Sequence, residues 1–339
     1  MTQTPVVQES GTQSKTVDVI IPTYRPGHKF RQLLNRLTHQ TYPVDHIIIM
    51  NTEESLWNLA ISEEYPDLEV HHVTRNTYDH GNTRNQGASY SKADILLFMT
   101  DDAVPADEHL VEALVSGFDR TGPEGEQVAV VSARQLADTD CRLAERYTRT
   151  FNYPAKSRVK TKADLPELGI KTYFSSNACS AYDRAVFIKQ GGFIKKTIFN
   201  EDMIYAAGAI KAGYATVYAA DAKVVHSHNY TNLQQFHRNF DLAVSQADNP
   251  EVFEGIRSEG EGIKLVKKTA AYLVKQGKPW LVVSLVVTSA WKYAGYLMGK
   301  RYKKLPVPIV RWCSMNRNYW KNPHQSEDTT RNQRGGKSS

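Results

Sequence analysis

The strongest constraint on the fold is a series of short apolar runs, each closed by polar residues. Residues 17–22 (VDVIIP) and 94–99 (DILLFM) are such runs, and residues 46–50 (HIIIM) and 68–73 extend the series. Runs this short, without strict alternation, fit strands buried on both faces. After the first, Phe30, Leu33, Leu34 and Leu37 recur at helical spacing, predicting an amphipathic helix that stops near Pro43. Residues 81–91 are compatible with a second helix. Alternation of strand and helix predicts an α/β layer architecture around a mostly parallel sheet. Ligands of such sheets collect at the carboxyl ends of the strands, so the loops after Pro22, Met50 and Met99 are expected to line one crevice.

The pattern continues through an apolar run at 128–132 and loosens over 133–172, where charge is dense and periodicity weak. Gly191-Gly192-Phe193 then leads to Phe199-Asn200-Glu201-Asp202. A helix is expected over 203–211, ended by Gly213, and a strand over 216–225 that delivers His226-Ser227-His228. Residues 1–15 read as a flexible polar leader and 322–339 as a disordered tail. Cys141, Cys179 and Cys313 are scattered and odd in number. They form neither a disulfide framework nor a metal-ligand spacing, which makes a reducing cytosol the expectation.

Charge divides the chain. Residues 263–339 hold 16 Lys+Arg and 2 Asp+Glu, out of 42 and 36 in the whole sequence. A basic segment on an acidic body points to an anionic partner, membrane or nucleic acid. Lys264, Lys267, Lys268, Lys275 and Lys278 precede the apolar run 281–290, and Lys300, Arg301, Lys303 and Lys304 follow it. That run is too short to span a bilayer. With Trp280, Trp291 and Tyr296 interleaved, the segment reads as lying in the membrane interface. A helical pair docking its apolar side on the body is the alternative, and the two are compatible.

Four polar clusters carry candidate chemistry. Asp101-Asp102 ends the run DILLFMT, where adjacent carboxylates can hold a divalent cation that bridges diphosphate oxygens. Otherwise the pair is a solvated turn. Glu201-Asp202 opens a helix, where it either compensates the helix dipole or supplies a general base. His226 and His228 lie two residues apart on a strand end, which puts both imidazoles on one face beside a carboxylate, a ligand set suited to Mn²⁺. Asp79-His80-Gly81-Asn82-Thr83-Arg84-Asn85 enters a helix. There Gly81 permits close backbone approach to a ligand and Arg84 can pair with phosphate, or the segment is an N-cap with a surface arginine.

The order of these clusters, with Pro22-Thr23-Tyr24-Arg25 ahead of them, resembles family-2 glycosyltransferases of the GT-A (nucleotide-diphospho-sugar transferase) fold over residues 16–230. DHGNTRN, NEDM, HSHNYT and KYAGYLMGKRYKKLP further resemble bacterial rhamnosyltransferases of cell-wall and O-antigen polysaccharide assembly. The resemblance implies a GT-A catalytic domain over 16–240 and a C-terminal helical, basic, membrane-proximal segment over 241–321. It implies that Thr23, Tyr24, Arg25 and Asn51 contact the nucleotide, Asn51 standing where the family usually has aspartate. Gly81, Arg84, Asn85, Asp101 and Glu201 would complete the nucleotide-sugar site. Asp102, His226 and His228 would ligate Mn²⁺ or Mg²⁺, with Thr100-Asp101-Asp102 in place of the usual aspartate-x-aspartate. Asp202 would be the catalytic base of an inverting displacement.

The implied donor is dTDP-β-L-rhamnose, or a UDP-sugar as the alternative. The implied acceptor is a saccharide or glycolipid at the cytoplasmic face of the cell membrane. A 6-deoxy sugar calls for an apolar wall, for which Phe174, Tyr182 and Phe199 are the candidates. Three other classes fit less well. A nucleotidyltransferase would show a longer glycine- and arginine-rich loop after the first strand. A dehydrogenase would show Gly-x-Gly-x-x-Gly there. The body carries no nucleic-acid-binding motif, so no nucleic-acid partner is expected.

Overall fold

The computed structural model describes residues 14–255 and 259–321. The expected disordered tail, and the leader up to residue 13, lie outside the described residues. Nine strands form one sheet: β1 (Val17–Thr23), β2 (His46–Thr52), β3 (Leu68–Val73), β4 (Ile95–Met99), β5 (Val104–Pro105), β6 (Val128–Leu136), β7 (Arg158–Lys160), β8 (Cys179–Asp183) and β9 (Ala215–Val225). Their order is β3-β2-β1-β4-β8-β6-β9-β5, with β7 paired to β9. β1, β2, β3 and β4 are parallel, β8 runs antiparallel between β4 and β6, and β6 and β9 are again parallel. The chain leaves β1 toward β3 and returns to β4 on the other side of β1. That reversal opens a crevice above the carboxyl ends of β1, β2 and β4.

Alternate residues of the central strands bury into two separate layers. Val17, Val19, Ile21, Ile95, Leu97 and Met99 face helix α1 (His28–Leu37), whose Phe30, Leu33, Leu34 and Leu37 are all buried. The helix ends at Leu37, short of the expected Pro43, because its apolar stripe ends there. Ile20, Ile48, Leu96 and Phe98 face the other way, where Gly87 of α2 (His80–Tyr90) meets Ile20 and Met50. The rings of Phe98, Tyr182, Phe187, Phe193 and Tyr205 pack there with centroids 5.0–5.7 Å apart. Tyr182 therefore sits in the core and is unavailable as a sugar-facing wall, whereas Phe174 and Phe199 remain half-buried.

The weakly periodic stretch after β6 is ordered. It holds α3 (Leu143–Asn152), β7 and short helical turns. α3 is amphipathic, yet none of its residues is fully buried. Beyond β9 come α4's successors in a helical layer; α4 itself (Glu201–Lys211) lies between β8 and β9. The layer comprises α5 (Asn232–Asp248), α6 (Glu259–Lys275), α7 (Leu281–Lys300) and α8 (Val307–Cys313). α5 and α7 run side by side in the same direction. Asn232 pairs with Thr288 near the start and Asp248 with Tyr302 just past the end. They approach closely because Gly295 and Gly299 of α7 lie against the carbonyls of Phe236 and Phe240, where an added Cβ would stand 2.2 and 2.3 Å from oxygen. At 20 residues, α7 is twice the expected apolar run and is long and apolar enough to cross a membrane.

Candidate active site

Three loops meet in the crevice, as the switch in strand order requires. Thr23 and Asn51 are buried at the ends of β1 and β2, joined by a 3.2 Å hydrogen bond from Thr23 Oγ1 to Asn51 Oδ1. The Tyr24 amide donates to Asp101 Oδ2 at 3.4 Å. Arg75 lies over the Tyr24 ring at 4.7 Å and Arg25 at 5.4 Å, so two guanidiniums flank one exposed aromatic at the mouth. Arg25 and Glu53 hold positive φ angles of 55° and 67°, local strain of the kind that collects at binding sites.

Asp102 meets both histidines. Its Oδ1 is 3.4 Å from His226 Nε2 and its Oδ2 3.5 Å from His228 Nε2. The two Nε2 atoms are 3.1 Å apart. β9 delivers this pair after slipping register against β6 between Ala133↔Ala219 and Arg134↔Lys223. Burial opposes ionisation of Asp102, but His226, His228 and Thr100 outweigh it and hold the carboxyl well below the usual range. Burial, then His226, pushes His228 down to about 4, so it is a neutral imidazole at physiological pH. Asp101 goes the other way. Burial and the adjacent Asp102 push it up to about 7. One carboxylate and two imidazole nitrogens within 4.8 Å of one another form a donor set that fits a divalent cation.

The acidic pair after Gly-Gly-Phe splits into two roles. The helix starts at Glu201, two residues earlier than expected, after Asn200 in the left-handed region at φ 64°. Glu201 turns into the protein and pairs with buried Arg84 at 3.3 Å. Burial opposes its charge, yet Arg84, His80 and Asn177 together keep it ionised. Asp202 stays half-buried, accepting from the Asn177 amide at 2.9 Å and the Met203 amide at 2.7 Å. Burial first, and the charge of Glu201 second, raise its pKa. Neighbouring carboxyls are thereby driven apart, one fixed as an anion and one made basic.

Gly81, Arg84 and Asn85 serve the scaffold. A Cβ on Gly81 would stand 2.0 Å from the Ile194 carbonyl oxygen, so this glycine admits the 193–194 backbone and leaves no room for a ligand there. Asn85 donates to the Phe193 carbonyl and accepts from the Phe193 amide, both at 2.8 Å. Arg84 is buried, paired with Glu201 and donating to the His80 carbonyl. Asp79 caps the helix by accepting from the Gly81 and Asn82 amides. The segment thus fixes the Gly-Gly-Phe turn and Glu201 from beneath.

Sequence reasoning missed four site-bordering groups: Arg75, Gln135, Asn177 and Arg238. Arg238 of α5 lies over the rings of Phe199 and Tyr230 at 4.6 and 5.8 Å, and its charge opposes protonation of both His80 and His228. A basic residue shortly after HSHNYT was the available signal. Asn177 had none: its backbone amide donates to Asp202 and its side chain to Glu201, both contacts more than 20 residues away in sequence.

The profile of glycosyl transferase family 2 matches residues 18–191, more than half of the chain, including the loops after β1, β2 and β4. The chain belongs to glycosyl transferase family 2. This family-2 protein is 36% identical over 310 residues to O-antigen chain rhamnosyltransferase RfbN of Salmonella typhimurium, covering 90% of the chain and 96% of that protein. It is equally 36% identical over 309 residues to O-antigen chain rhamnosyltransferase WbaN of Salmonella anatum, with 90% and 95% covered. Its fold matches the mannosyltransferase PcManGT from Pyrobaculum calidifontis, solved with GDP-Man and Mn²⁺, at a TM-score of 0.51 and 18% identity. That match covers 91% of this chain and 86% of the other, and establishes the GT-A fold.

Proposed function

We propose that this transferase moves L-rhamnose from dTDP-β-L-rhamnose onto a hydroxyl of a growing, lipid-linked cell-surface polysaccharide, with inversion. The observation that carries the chemistry is the joining of a basic carboxylate to a cation-ready cluster through two consecutive residues. Ser176 binds Gln135, which touches His226, and the Asn177 amide binds Asp202. Similarity over nearly the full length of two rhamnosyltransferases supports the choice of sugar.

Asp102, His226 and His228 would hold Mn²⁺ or Mg²⁺, which neutralises charge on a leaving diphosphate. Tyr24, Arg25 and Arg75 frame the nucleotide at the mouth, with Thr23 and Asn51 forming the floor and Asp101 beside them. Asp202 takes the proton of the acceptor hydroxyl as that oxygen attacks the anomeric carbon opposite the diphosphate, giving an α linkage. Glu201, Arg84, Asn85 and Gly81 hold Asp202 in place. The catalytic domain takes residues 16–240, which include His226 and His228, and the C-terminal helical segment, the second unit, takes residues 241–321, the boundary falling within α5.

The second unit faces the membrane. Val283, Val286, Val287, Tyr293 and Leu297 form an exposed apolar stripe on α7, continued by Trp280, Val307, Ile309 and Trp312. Lys278, Lys300, Lys304 and Arg311 border it. An apolar surface of this extent, rimmed by cations, suits an anionic lipid interface. Because α7 is packed along α5, which carries the buried charged residue Asp241, it lies along the surface and does not cross.

A panel of nucleotide sugars assayed with Mn²⁺ for nucleoside-diphosphate release tests the enzymatic reading. We expect turnover with dTDP-L-rhamnose that is lost in EDTA and restored by Mn²⁺ or Mg²⁺. Turnover of UDP-glucose with no response to dTDP-L-rhamnose would refute the donor, and full activity in EDTA would refute the metal.

A further inference from the structure

The geometry points to Gln135 as the residue that sets the tautomer of His226 and turns its Nε2 lone pair toward the cation, with Arg149 fixing Gln135 in that role. This rests on the metal reading of the Asp102–His226–His228 cluster and goes beyond it. Gln135 is buried at the end of β6, 3% exposed, and its amide touches three groups. Its Nε2 donates to Ser176 Oγ at 2.9 Å. Its Oε1 accepts from Arg149 Nη1 and lies 2.9 Å from His226 Nδ1.

The direction of each hydrogen bond follows from one fact: a guanidinium carries donors only. The Gln135 atom facing Arg149 must therefore be the oxygen, which settles the amide orientation from the network itself. Arg149 is held in turn by Glu145, 3.1 Å from its Nε one turn earlier on α3. The same oxygen faces His226 Nδ1, so Nδ1 must carry the proton. In the neutral ring this leaves the lone pair on Nε2, the atom that faces Asp102 and His228. Without the Gln135 oxygen, the proton could sit on Nε2 and donate to Asp102, which would occupy both the nitrogen and the carboxylate that a cation needs. Partners that fix the tautomer of a ligating histidine typically change metal affinity by about 10–100-fold.

Two measurements test this on the full chain. Mn²⁺ affinity, read by electron paramagnetic resonance without nucleotide sugar, should weaken about 10–100-fold in Gln135→Met, which keeps length but removes the acceptor. Gln135→Glu keeps an oxygen toward both Arg149 and His226 and should bind Mn²⁺ at least as tightly as the parent. Circular dichroism confirms that both variants are folded. Unchanged affinity in Gln135→Met, or equal loss in Gln135→Glu, overturns the role of Gln135. Independently of any variant at 135, long-range ¹H–¹⁵N spectra of the parent protein without metal should show His226 protonated on Nδ1, its signal assigned by loss in His226→Gln. A neutral ring protonated on Nε2 instead of Nδ1 overturns the proposal. Failure of the parent to bind Mn²⁺ would instead refute the metal reading, which the metal-free spectrum does not depend on.

Discussion

The division of labour between Glu201 and Asp202 is set by which neighbour each one faces. Asp202→Asn keeps the shape and removes the basicity, so transfer should fall by about 10²–10⁴-fold while donor binding persists. Single-turnover kinetics with a donor-binding titration separate the two; wild-type rates in Asp202→Asn together with an inactive Glu201→Gln would reverse the assignment. Burial and Glu201 raise the Asp202 pKa, and a base works only once its proton is gone. The rate should therefore climb as pH rises through that raised value and be lost below it, at higher pH than an ordinary carboxylate would give. Glu201→Gln acts mainly on the fold, because it leaves the Arg84 charge buried without its counterion. Breaking such a pair costs about 3–5 kcal/mol, measurable by denaturant titration. At this scale the sequence brought out the polar clusters better than the directions in which their side chains point. His226, His228 and Asp102 come together because strand periodicity and strand ends are local rules. The inward turn of Arg84 and the packing of Gly81 on Ile194 were illegible, since both depend on a segment more than 100 residues away.

Among the elements, the strands of the first half were readable from their apolar runs. Their boundaries moved by only a residue or two, as with β2, which runs on to Thr52. The helix predicted for 203–211 gained Glu201 and Asp202 at its start, because the left-handed Asn200 begins it earlier. The close approach of α5 and α7 was hidden, since it depends on Gly295 and Gly299 meeting backbone carbonyls, which leave no apolar pattern. Gly295→Leu should force the helices apart against the Phe236 carbonyl. We expect a loss on the order of 1–3 kcal/mol, the usual scale for overpacking. Thermal unfolding reads the loss, and increased binding of an apolar dye reads the loosened α7. An unchanged melting temperature would contradict the close approach.

For the whole molecule, the separation of acidic body from basic helical layer gives the protein two faces. Full-length protein should float with anionic liposomes at low salt and less so at high salt, because lysines near an anionic surface contribute about 1 kcal/mol each and are screened by ions. Trp280→Ser with Trp312→Ser should reduce flotation while transfer to a short soluble acceptor continues. Equal flotation of parent and variant, or none by either, would remove the membrane from the account. The parallel seating of α7 on α5 has one more consequence. α5 starts four residues after His228 and carries Arg238 toward the crevice, while α7 lies beneath it. Helices packed in this way keep their axes about 8–10 Å apart. On the proposed lipid surface that stack would work as a spacer gauge. It would hold the crevice at one altitude above the lipid, so that an acceptor whose sugars end lower or higher would miss Asp202 whatever its chemistry. Selection for a particular stage of polymer growth can then come from the thickness of two helices, with no pocket that counts residues.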